Sequence, residues 1–144
     1  MDILKNKMEA IWVDVEEGIN SFCNDIFYQF ENESDNEELG ALDEIFKIIR
    51  PSSDKIQQII EDAMRNTRVL SVLEIREIKE IIVAMRWYID DKKDFYDATK
   101  AENREIYEYP EKITSYLILF ENIISRLYKD CNRLENATIK LKNK

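Results

Sequence analysis

Two glycines, two prolines and no histidine occur in 144 residues. Glycine and proline are the residues that most often interrupt helices, so long stretches of this chain can run as helix unbroken. Apolar residues recur through those stretches every three or four positions, the period of a helix with one buried face. The expected fold is all-α: an antiparallel four-element helical bundle, formed as a single domain over residues 1–144. A chain of this length buries roughly 70% of its unfolded surface and needs no disulfide or metal to hold it.

The first element spans 3–31, with Leu4, Met8, Ile11, Val15, Ile19, Phe22, Ile26 and Phe30 on its stripe. Gly18 in its middle costs about 1 kcal/mol against Ala and admits a close neighbour. An acidic turn follows, where Ser34 with Glu37, or Asp35 with Glu38, matches a capping box. The second element carries Leu39, Leu42, Ile45, Phe46 and Ile49, then Ile56, Ile59, Ile60, Ala63 and Met64. Pro51 removes a backbone donor and disfavours helical geometry at Arg50. The element is therefore expected to break there, giving five helices in all.

Asn66, Thr67 and Arg68 read as a turn, and Ser71 with Glu74 as a second capping box opening a helix over 71–103. Pro110 suits the first turn of the last helix. That helix shows the strictest seam, Ile113, Leu117, Phe120, Ile124, Leu127, Cys131 and Leu134, alternating fours and threes. Cys23 and Cys131 lie within apolar patterns and are read as buried free thiols.

Charge is uneven. The formal net charge is −9, and residues 1–50 alone carry 13 acidic and 4 basic side chains. The expected topology gathers 25–44 with 90–112 at one end, at a net −11, and collects a net +4 at the other. The acidic end is also aromatic, with Tyr28, Tyr107 and Tyr109 beside Glu31, Glu33, Asp35, Glu37 and Glu38. Aromatic rings supply contact area and carboxylates steer a basic partner. These eight residues are the candidate partner-binding set. An acidic surface disfavours nucleic acid. No apolar run approaches the roughly 20 residues that span a bilayer, and Met1–Lys5 does not open a signal peptide, so a cytoplasmic location is expected.

Without histidine, Ser–His–Asp and Cys–His sites cannot form within one chain. No glycine pattern for nucleotide binding is present. No catalytic residue, cofactor or metal is therefore expected, and the chain is read as non-enzymatic. One alternative rests on Glu74-x-x-Glu77 and Asp94-x-x-Asp97, which resemble the paired acidic motifs that hold Mg²⁺ in all-α nucleotide pyrophosphohydrolases. The second motif has Asp where that family typically has Glu, and both motifs fall on one helix here.

The leading expectation is a protein-binding inhibitor or immunity/antitoxin-like protein that occludes a basic site on its partner. Its composition, rich in Ile, Lys, Asn and Glu, suits a bacterial, phage or other mobile-element source. The second expectation is a structural or secretion-associated helical subunit that assembles through 71–103 and the last helix, with a homodimer as the form considered.

Overall fold

The computed structural model describes residues 2–25, 28, 36–102 and 109–142; side-chain environments at 2, 36–39, 41, 97, 99–102, 109–112 and 142 lie outside that description. The described residues are helical apart from the short connection at 66–71, and none is in a strand. There are four helices among them. Helix α1 is α-helical over Asp2–Val13, π-helical over Asp14–Asn20 and α-helical again over 21–25. Helix α2 spans Asn36–Arg65, α3 Val72–Glu102 and α4 Tyr109–Lys142.

The π-helical stretch has a cause in the sequence. From Ile11 the buried residues are Val15, Ile19 and Cys23, three successive steps of four. At 3.6 residues per turn each such step drifts the stripe by about 40°. A π-turn closes i→i+5 bonds and holds more residues, which cancels the drift and keeps all four facing inward.

Pro51 does not break the second element: α2 is continuous for 30 residues with the proline inside it. The expected fifth helix is thus absent among the described residues. Leu42, Ile45, Ile49, Ser53, Ile56, Ile60 and Ala63 form one buried stripe that crosses the proline without a change of phase. Pro51 itself faces solvent, where water can satisfy the carbonyl its missing N–H leaves unpaired. Packing on the opposite face outweighs the local preference.

The turn after α2 is a Schellman motif. The Arg68 N–H donates to the Ala63 carbonyl at 3.0 Å and the Thr67 N–H to that of Met64 at 3.1 Å. Thr67 occupies the left-handed position at φ 52°, where a β-branched residue is strained. The anticipated capping box then opens α3: the Glu74 N–H donates to Ser71 Oγ at 3.2 Å, and the Ser71 N–H to Glu74 Oε1 at 3.0 Å.

Side-chain contacts give the helix directions pair by pair. Asn20 donates to Gln57 at 2.9 Å between α1 and α2, while Lys5 and Met8 share a cleft with Met64 and Arg68. Lys92 reaches Glu44 at 3.2 Å and Lys55 reaches Glu77 at 3.8 Å between α2 and α3. Lys93 bonds Glu121 at 2.6 Å and Lys79 bonds Glu135 at 3.0 Å between α3 and α4. Phe22 packs on Phe120 with ring centroids 5.7 Å apart, joining α1 to α4. In each pair numbered so, rising positions on one helix meet falling positions on the other. The space between is filled by aliphatic side chains, among them Ile11, Ile60, Ile82 and Ile124, all fully buried.

The two cysteines are buried free thiols, as their setting in apolar patterns implies. Burial pushes Cys23 up to about 11 and Cys131 up to about 12. No described helix is long and apolar enough to cross a membrane.

Candidate functional site

Of the eight residues expected to bind a partner, Glu31, Glu33, Asp35 and Tyr107 lie outside the described residues. Glu37 and Glu38 fall in the first turn of α2 and Tyr109 begins α4, with their side chains outside the description. Tyr28 is helical and 70% exposed. Lys92, in the C-terminal half of α3, reaches Glu44 near the start of α2.

A second acidic and aromatic surface lies on the outer face of α3. The buried stripe of this helix is Ile75, Ile78, Ile82, Met85 and Ile89. Opposite it stand Leu73, Trp87 and Phe95, at 77%, 72% and 59% exposure. Glu80, Ala84, Asp91 and Asp94 fall at helical spacing around Trp87 and are all exposed. Among the described residues no ion pair involves Glu80, Asp91 or Asp94, whereas Lys92 and Lys93 are drawn aside to Glu44 and Glu121. Phe95 is held in place: it meets Tyr96 edge-on at 5.2 Å, and the Lys92 ammonium lies 5.6 Å from its ring. Covering an exposed tryptophan is worth about 2–3 kcal/mol. The sequence reading did not single out Trp87, although its phase off the buried stripe could have marked it.

The four acids of the pyrophosphohydrolase-like alternative are engaged or far apart. Glu74 caps α3 and accepts two bonds from Arg68, at 2.6 and 3.0 Å. Those bonds and the Ser71 cap hold its carboxyl down at about 2. Glu77 pairs with Lys55. Asp94 is exposed, and Asp97 lies on α3 with its side chain outside the description. Some 25 Å of helix separates Glu77 from Asp94. Among the described residues no three acids or cysteines come close enough to hold a metal ion.

The most unusual polar group is Asp14, in the π-helical stretch. It is 7% exposed and its Oδ2 meets no hydrogen-bond partner. Burial first, and then the nearby carboxyl of Asp130 on α4, push Asp14 up to about 7, against the opposing pull of Arg126. Arg133 Nη1 lies 3.3 Å from Asp130 Oδ1. A cleft of about 310 Å³ opens beside Asp130 between Ile3, Asn6, Lys7, Ala10 and Arg133. Asp14 stands three residues after Ile11 and beside Val15, on the border of the stripe in an ordinary helical wheel.

No family model, curated protein or solved structure matches the chain.

Proposed function

We propose that this protein is a non-enzymatic, protein-binding inhibitor of the immunity or antitoxin kind, an antiparallel bundle acting in the cytoplasm of a bacterium or on behalf of a phage. It would occlude a basic site on a partner protein. The observation that carries this reading is Trp87, largely exposed on α3 and ringed by Glu80, Asp91 and Asp94, which form no ion pair among the described residues. A basic partner surface with an apolar socket complements that pattern: carboxylates steer the encounter, and the indole supplies buried area and a face for an arginine. The acidic run at 31–44 would add to the electrostatic steering of such a partner.

The test is affinity capture from the source cell at low salt, with wild type, Trp87→Ala and Asp91→Lys side by side. The expected result is a partner with a basic surface that both variants lose while keeping their thermal stability. Equal capture by all three ends the assignment of this face.

A second reading, self-assembly as a structural subunit through α3 and α4, draws on Ile118 and Leu119, which are 47% and 52% exposed on α4. A solution mass that stays at one chain, 17.2 kDa, across a hundredfold range of concentration removes it.

A further inference from the structure

We propose that the cleft between α1 and α2 beside Ser53 binds a free α-amino acid, its carboxylate held by Arg50 and Ser53 and its ammonium by Asp54 and the carboxamide oxygens of Asn20 and Asn24. The cleft encloses about 300 Å³ and is lined by those five residues with Cys23 and Gln57. That volume stands at the small end of the roughly 300–1,000 Å³ of small-molecule sites.

Ser53 is the polar member of an otherwise aliphatic stretch of the α2 stripe, between Ile49 and Ile56. It is 2% exposed, and its Oγ meets no hydrogen-bond partner among the described residues. A helical serine can bond the carbonyl one turn back, and this one does not. A buried hydroxyl without a partner costs folding free energy that alanine would spare. Lining a cleft, it is a donor held ready for whatever enters.

The groups around it sort by hydrogen-bonding capacity. Arg50, Ser53, Asp54 and Gln57 fall at helical spacing on one face of α2, and Asn20 and Asn24 stand one turn apart on α1. Gln57 is already engaged at both ends: its Oε1 accepts from Asn20 Nδ2 at 2.9 Å, and its Nε2 donates to Glu61 Oε1 at 3.0 Å. The first of these bonds also fixes the Asn20 amide and keeps its carbonyl oxygen as an acceptor. The Arg50 guanidinium lies over the buried Phe46 ring, 5.4 Å from its centroid, and its charge opposes the burial that raises the Cys23 thiol. It is thus folded back against the bundle, with a planar fork of N–H donors that suits a carboxylate. Asp54 is exposed and enters no ion pair among the described residues.

Donors therefore gather at Arg50 and Ser53, and acceptors at Asp54, Asn20 and Asn24. A carboxylate takes donors only, and an ammonium offers three N–H groups to acceptors. A simple anion would meet Asp54 as a repulsive neighbour, and a simple amine would meet Arg50 so. A molecule with both charges on one carbon satisfies both side chains, which stand one helical turn apart.

The experiment is thermal unfolding and backbone-amide NMR of the full chain, for wild type, Arg50→Gln, Asp54→Asn and Ser53→Ala. The common L-amino acids, sodium acetate and methylamine are added singly at millimolar concentration. At least one amino acid should raise the wild-type midpoint and shift the amides of 20–24 and 50–57. At a hundred times its dissociation constant it should lower the unfolding constant about a hundredfold. Acetate and methylamine should do neither. Arg50→Gln and Asp54→Asn should each weaken binding about tenfold or more, and Ser53→Ala by roughly two- to tenfold, while the unliganded Ser53→Ala protein stays at least as stable as wild type. A response to acetate equal to that to the amino acids makes the cleft an anion site and overturns the proposal. So does the lack of any amino-acid response, which leaves water as the occupant. Equal binding by wild type and Arg50→Gln puts the ligand elsewhere and overturns it too. The wild-type comparison of amino acid, acetate and methylamine decides by itself if a variant fails to fold.

Discussion

Gly18 of α1 lies directly against Ile123 of α4: a Cβ placed on the glycine would sit 3.0 Å from Ile123 Cγ2. Alanine at that position would gain about 1 kcal/mol in helix propensity, but overpacking costs about 1–3 kcal/mol. Gly18→Ala should therefore destabilise the protein by about 1 kcal/mol in urea unfolding. In an Ile123→Ala background the same change should become neutral or stabilising. A double-mutant cycle with no coupling would show that the two positions do not touch.

Glu74 ties the α2–α3 corner through Ser71 and Arg68. Glu74→Ala should cost about 1–2 kcal/mol, the range of a lost helix cap. Its carboxyl is lowered from 4.5 to about 2, so its contribution is present above about 4.5 and vanishes as pH falls through about 2. Acid unfolding curves of wild type and Glu74→Ala should accordingly converge below pH 2. Curves that stay parallel would separate the cap from this titration.

Pro51→Ala tests whether packing really overrides the proline. With the helix already continuous there, alanine restores the missing N–H without moving the stripe. An increase in stability of about 1–3 kcal/mol is expected, together with stronger amide protection around 47–55. A loss of stability would mean that the helix bends at the proline to fit its neighbours.

Cys23 and Cys131 should be inert in the folded protein. Burial suppresses both thiolates, with values of about 11 and 12, and the thiolate is the nucleophile. At pH 8 a disulfide reagent should label neither thiol until urea unfolds the chain, and then both. Rapid native labelling at one site would reveal an opening of that helix pair.

Much of the architecture was readable because its signals are local. The Ser71–Glu74 box needs only two residues three apart, and the close approach at Gly18 needs only a missing side chain on a core-facing helix. The break expected at Pro51 fails for a physical reason: a proline penalty of about 3 kcal/mol is smaller than the burial of a stripe running from Leu42 to Ala63. The π-helical stretch was hidden because Ile11, Val15, Ile19 and Cys23 suit an ordinary helix step by step, and only their accumulated drift exposes the mismatch. Asp14 escaped notice with it, since an ordinary helical wheel sets a carboxylate there on the border of the stripe. Trp87 was missed although its phase sets it off the α3 stripe, and its ring of acids, which form no ion pair among the described residues, depends on where Lys92 and Lys93 turn, as α2 and α4 decide.

The ion pairs that cross between helices are unevenly shared. Arg76 and Lys79 clamp Glu135, and Lys93 clamps Glu121, so α3 and α4 are fastened at two levels. Among the described residues no such pair leaves α1. The first helix is held by packing instead, chiefly against α4, where Phe22 meets Phe120 and Gly18 meets Ile123, and the α3–α4 pair is the keel. Whatever loosens α1 would uncover a long aliphatic seam while the tryptophan-bearing surface of α3 keeps its shape.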